Sequence, residues 1–119
     1  MNRKVHLISG GILYLAYVYV TGFFHDITPE LFVYGIVAVT LGSLFPDIIE
    51  PATGARHRRI CHSWRALKLM LALFLVLALA ISFSPGIPRY PLAFSASCFF
   101  LGYAVHLIAD SLTRAGLPD

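Results

Sequence analysis

Charge is scarce in this chain. Asp, Glu, Lys and Arg make up 13% of its 119 residues, about half the share usual in a soluble domain. A water-soluble fold of this size must cover its surface with more charge than that, so a soluble domain is excluded. Cysteine is nearly absent as well. Cys61 and Cys98 stand far apart in different kinds of segment and make no disulfide framework, so both read as reduced thiols. No linker, repeat or low-complexity stretch divides the sequence, which reads as a single polytopic membrane domain over 1–119. That leaves no room for a separate soluble catalytic domain, and any chemistry must be built from helix ends and the loops that join them.

What the chain has in quantity is apolar residues, 58% of the total, and they fall into four runs. Val5 to Phe24 contains no Asp, Glu, Lys or Arg and is long enough as a helix to cross about 30 Å of hydrocarbon. Asn2-Arg3-Lys4 ahead of it resembles the start of a signal peptide. Thr21-Gly22-Phe23-Phe24-His25 is a poor cleavage site, however, so the run reads as an uncleaved span. Thr28-Pro29-Glu30 is a helix-start signal for a second span that ends at Phe45, with Pro46 as its terminator. Gly35 and Gly42 on this span lie near one face and predict the close approach of another helix. The third span covers 67–84 and is followed by the turn Pro85-Gly86-Ile87-Pro88; the fourth covers 92–112. The expected fold is therefore all-α and integral to the membrane, with spans at 5–24, 29–45, 67–84 and 92–112 and a polar surface loop at 46–66.

The net charge is +3 and the pI about 9.1, but the cations are confined to short stretches between apolar runs. Topology explains them better than nucleic acid does, and no nucleic-acid partner is expected. In the four-span arrangement Arg3, Lys4, Arg56, Arg58, Arg59, Arg65, Lys68 and Arg114 fall on one side and Arg89 alone on the other. This places both termini and the 46–66 loop in the cytoplasm.

The same side collects the remaining titratable residues: His6, Asp47, His57, His62, His106 and Asp110. His25 and Asp26 lie opposite and read as a solvated turn. His106 and Asp110 are spaced i, i+4, which puts them on one helix face a turn apart. Ionisable groups so close to a span are costly against lipid, so they are expected to face the bundle interior or a water-filled cavity, where they can share an ion or a water. Thr113 lies a further turn along at nearly the same angle. Imidazole and carboxylate together suit zinc, or manganese and iron when more oxygen is present, and the set is large enough for one or two ions. Taken singly, His6 also fits an interfacial histidine, His57 and His62 a solvated basic loop, and Asp47 a helix-end turn. Convergence from three helices and a loop is what points to a site. Arg56, Arg58, Arg59 and Arg65 suit both orientation against anionic headgroups and the holding of a phosphate. Cys61 ranks behind the histidines as a ligand.

Several motifs occur in order: Val5-His6-Leu7 with Gly10; Gly42-Ser43-Leu44-Phe45-Pro46-Asp47; His57-Arg58-Arg59-Ile60-Cys61-His62-Ser63; and Gly102-Tyr103-Ala104-Val105-His106-Leu107-Ile108-Ala109-Asp110-Ser111-Leu112-Thr113 with Gly116. Together they resemble the YdjM-like family of membrane-bound, metal-dependent hydrolases, some described as LexA-regulated. The resemblance covers nearly the whole chain. It implies a multi-pass protein of the cytoplasmic (inner) membrane whose His and Asp residues bind divalent metal for hydrolysis, with His6, Asp47, His57, His62, His106 and Asp110 at the family's polar positions. Ile49 departs from the pattern, which carries a second Asp there, and Glu50 is adjacent. Arg59 and Cys61 stand where Gly and Thr are commoner.

These readings converge on a metal-dependent hydrolase, with zinc the preferred ion, acting at the cytoplasmic membrane face on a phosphoester such as a lipid headgroup or lipid-linked phosphate. Asp47 or Asp110 would accept a proton and Arg58 or Arg59 would steady a phosphate oxyanion. Two alternatives compete: a transport or binding element whose same histidines carry metal or protons but hydrolyse nothing, and a non-enzymatic subunit of a larger membrane assembly whose glycines and aromatics pack against a partner; a homo-oligomer is compatible with any of the three. Against transport, the charged groups cluster at one face with no ladder of them through the spans.

Overall fold

A computed structural model describes residues 3–24, 26–49, 60–83, 91–113 and 117. Its secondary structure among these is helical: α1 (Arg3–Thr21), α2 (Pro29–Ile49), α3 (Trp64–Phe83) and α4 (Pro91–Ser111). Three of them, α2, α3 and α4, are long and apolar enough to cross a membrane, with mean hydropathies of 1.8, 2.5 and 1.8. The molecule measures 45 × 24 × 20 Å, and its long axis matches a bilayer of about 40–45 Å including headgroups.

The start of α2 follows the expected chemistry, since Thr28 Oγ1 accepts the Leu31 N–H at 3.2 Å and caps the first turn. Its end does not, because the helix runs through Pro46 to Ile49. Proline lacks an N–H for the carbonyl four residues back, here Gly42, and its ring normally crowds that carbonyl. In a packed membrane helix neighbouring elements compensate for that loss, and Pro46 is itself buried against them. Asp47 consequently sits on the last turn of α2 rather than in a loop. The third helix also begins earlier than Leu67. Ser63 caps it, its Oγ accepting the Ala66 N–H at 3.1 Å and donating to the Ile60 carbonyl at 2.9 Å. Of the loop expected at 46–66, residues 46–49 and 64–66 are thus helical, and 50–59 lie outside the described residues. The first helix stops at Thr21, short of Phe24, in a turn closed by the Phe24 N–H on the Thr21 carbonyl.

Consecutive helices run in opposite directions. The start of α1, the end of α2, the segment leading into α3 and the end of α4 meet at one end, where His6, Asp47, His62, His106 and Asp110 come together. Toward the other end Tyr14 stacks obliquely on Phe32 and Phe24 meets Phe83. The centre of the bundle is α4, which packs on α1, α2 and α3 and is buried along most of its length. By contrast α3 turns Leu69, Leu75, Val76, Leu79 and Phe83 outward, as a lipid-facing helix does.

Small residues set the closest crossing. A Cβ on Gly42 would run into the Phe99 backbone carbonyl, and one on Gly102 into the Val39 carbonyl and, at 2.9 Å, the Ser43 nitrogen. Here α2 and α4 touch backbone to backbone. Gly35, expected to share that role, instead receives the Tyr14 ring of α1.

Candidate metal centre

Four separate elements supply the cluster. His6 lies on the first turn of α1, Asp47 on the last turn of α2, His62 in the segment just before α3, and His106 with Asp110 near the end of α4. Four of the five side chains are shut away from solvent, His6, His62, His106 and Asp110 each being 1% exposed or less, while Asp47 is 37% exposed. The i, i+4 pair faces one way as its spacing predicts, with His106 Nε2 3.3 Å from Asp110 Oδ2. His62 Nε2 lies 3.0 Å from Asp47 Oδ1, 3.8 Å from Asp110 Oδ2 and 3.3 Å from His106 Nε2. His106 Nε2 also lies 3.6 Å from Asp47 Oδ1. Over it the His6 ring is stacked, the centroids 3.7 Å apart and the planes 18° from parallel.

A hydrogen bond made outside the cluster decides what His106 offers inside it. Its Nδ1 is 2.6 Å from the Ser43 carbonyl oxygen, which can only accept, so Nδ1 carries the proton. In the neutral ring Nε2 then holds a bare lone pair, and that lone pair faces carboxylate oxygens that also only accept. Acceptors crowded on acceptors in a buried site are unfavourable until a positive charge, a proton or a metal ion, stands between them. The spacing suits a cation: ligand bonds of about 2.0–2.1 Å in a tetrahedron put neighbouring ligand atoms about 3.3 Å apart, against the 3.0–3.8 Å measured here. His6 supplies a second sign. Both of its ring nitrogens are buried without a hydrogen bond among the described residues, although Nε2 is 3.4 Å from Asp110 Oδ1. An unsatisfied buried donor or acceptor costs about 1–3 kcal/mol, a cost that a ligated ion removes.

Two groups of three, His6 with Asp47 and His106, and His62 with His106 and Asp110, each hold their ligand atoms within 4.8 Å of one another. Both draw on His106. His57, Arg58 and Arg59 lie outside the described residues. The Thr113 hydroxyl, expected beside the pair, donates instead to the Asp110 backbone carbonyl at 2.7 Å. Cys61 contributes its carbonyl rather than its thiol, accepting from Tyr103 Oη at 3.1 Å. Ile49 ends α2 with its side chain about half exposed.

Three contributors escaped the reading of the sequence. Ser43 acts through a backbone atom, which no residue-type pattern marks. Tyr103 precedes His106 by three positions and so shares its helix face, and Ser63 followed by a helical run has the form of a cap; those were the available signals. The Tyr103 hydroxyl pins the segment that carries His62. Tyr103→Phe is therefore expected to weaken divalent-metal binding about tenfold, as loss of an orienting partner does, while the helical circular-dichroism spectrum is unchanged; metal titration of the detergent-solubilised protein checks both.

An antiparallel helical bundle with apolar outer faces and a buried His/Asp cluster at one end defines a polytopic membrane protein with a candidate metal centre. The chain belongs to the YdjM inner membrane protein family, whose sequence profile covers residues 1–118. No match was found among curated proteins or among solved structures.

Proposed function

We propose that this protein is a metal-dependent phosphoester hydrolase working at the cytoplasmic face of the inner membrane, one polytopic domain with four spans and both termini in the cytoplasm. The observation that carries it is the His106 ring, its Nδ1 held against the Ser43 carbonyl and its Nε2 facing two carboxylates in a cluster buried except at Asp47. Supporting the orientation, every Lys and Arg among the described residues, Arg3, Lys4, Arg65 and Lys68, belongs to the helix ends on the side of the cluster.

His62, His106 and Asp110 would hold the ion, with Asp47 and His6 beside them as further candidate ligands. Because Nδ1 of His106 is committed to Ser43, this residue has one nitrogen to give, and the two overlapping groups describe a single centre. Zinc best suits so nitrogen-rich a set, with manganese or iron as substitutes, and such an ion supplies Lewis acidity toward a phosphoryl oxygen and toward water. Asp47 takes a proton from an incoming water; its being the cluster's one partly exposed member supports that role. Arg58 and Arg59 belong in sequence to the connection between the helix end that carries Asp47 and the segment that carries His62, and they steady the phosphate oxygens.

Asp47→Asn is the sharpest test, since it removes the proton acceptor and keeps an oxygen ligand. Turnover of phosphatidic acid in mixed micelles, or of an aryl phosphate, is expected to fall about a hundredfold with bound metal retained. A wild-type rate in this variant contradicts the assignment of Asp47, and an absence of metal-dependent turnover of either substrate by the wild type contradicts the hydrolase.

A further inference from the structure

Along the segment that carries His62 lies a groove of about 540 Å3 whose lining includes Cys61, Ser63, Arg65, Leu69, Met70 and Tyr103, a volume within the range of small-molecule sites. Its lining is ordered along α3. Ser63 and the exposed Arg65 stand at the helix start, at the basic end of the bundle, and Leu69 and Met70 follow one turn deeper toward the apolar middle. Phosphate above and hydrocarbon below is the order of polarity in a phospholipid. We propose that this groove binds an anionic bilayer phospholipid with a sterically open phosphate, the Arg65 guanidinium holding the phosphate and Leu69 with Met70 the upper part of one acyl chain.

Charge and position select this occupant. Guanidinium matches phosphate oxygens in a two-pronged geometry. Lys68, the other cation of this helix start, does not line the groove, so Arg65 is its cationic group among the described residues. The groove faces outward, with Ile60 78% and Leu69 55% exposed, so a bilayer lipid enters sideways without crossing water. The short segment that walls the groove also builds the cluster: Cys61 and Ser63 line it, whereas His62 between them gives its ring to Asp47 and His106. The segment 61–63 is thus shared by the groove wall and the cluster. The purpose of the site, delivery of a lipid phosphoester from within the bilayer, rests on the hydrolase reading; lipid binding itself does not.

Trp64, the chain's one tryptophan, is 40% exposed next to Arg65 in the sequence; it does not line the groove, so its fluorescence reports lipid gathered at this helix start and the variants decide which cation holds it. In phosphatidylcholine proteoliposomes, its fluorescence is quenched with phosphatidic acid or with phosphatidylcholine, each brominated near the headgroup end of one chain. The proposal expects phosphatidic acid to be preferred on the order of fivefold, the effect of one interfacial arginine. Arg65→Gln abolishes that preference and Lys68→Gln leaves it in place. His106→Ala also leaves it in place, so a protein that binds the lipid but hydrolyses nothing refutes the hydrolase while upholding the groove. Equal quenching by the two lipids in the wild type, or equal losses in Arg65→Gln and Lys68→Gln, overturns the proposal in favour of no site or of diffuse surface attraction.

Discussion

Gly42→Ala and Gly102→Ala are each expected to destabilise the bundle, while the same change at Gly11 is expected to leave it as stable or more so. In an isolated helix the substitution is favourable by about 1 kcal/mol, because glycine loses the most backbone freedom on folding. At Gly11 nothing lies within 4 Å of the added methyl, so that gain is kept. At Gly42 the methyl meets the Phe99 backbone, and at Gly102 it meets the backbones of Val39 and Ser43. Backbone cannot turn aside as a side chain does, so α2 and α4 must separate. Overpacking of this kind costs about 1–3 kcal/mol, enough to reverse the sign. The two changes share one crossing and should not add in the double variant. Thermal unfolding of the three variants in one detergent reads the contrast. The crossing also serves the site, since Ser43 sits in it and holds His106, so Gly102→Ala should loosen metal binding in step with stability.

His106→Ala is expected to lower metal-dependent phosphoester turnover at least about a hundredfold. The ring contributes a lone pair at Nε2, and its Nδ1 bond to Ser43 aims that lone pair; removing even an orienting partner of a ligand costs 10–100-fold, and removing the ligand costs more. The change also takes away the ring on which His6 is stacked, so a second ligand loses its support. Folding should survive, because Leu67, Tyr103, Ala104, Leu107 and Leu117 form a separate apolar cluster that the substitution leaves intact. A kinetic assay beside a thermal unfolding curve separates the two effects, and retained turnover with retained folding contradicts the role given to His106.

Much of this was legible in residues. Four apolar runs announced four helices, and the spacing of His106 and Asp110 announced a shared face, because one turn of helix is a local property. The end of α2 was not, since the usual stopping power of Pro46 is overridden by packing that only the assembled bundle supplies. Nor was the reach of His6. Whether a histidine near the start of the chain meets one near its end depends on the order of helices around the bundle, and α1 could pack against α4 or be separated from it with the same sequence pattern. The two glycines that looked equivalent on α2 proved to serve different neighbours, Gly42 the backbone of α4 and Gly35 an aromatic ring of α1, for the same reason.

Elemental analysis of the detergent-purified protein decides whether the His/Asp cluster holds a metal ion, with the wild type set beside a folded His106→Ala, Asp110→Ala double variant. About one zinc, manganese or iron per chain is expected in the wild type, retained through gel filtration, and none in the variant. A wild type that holds no divalent metal even after reconstitution, or a double variant that holds as much as the wild type, would contradict the metal centre.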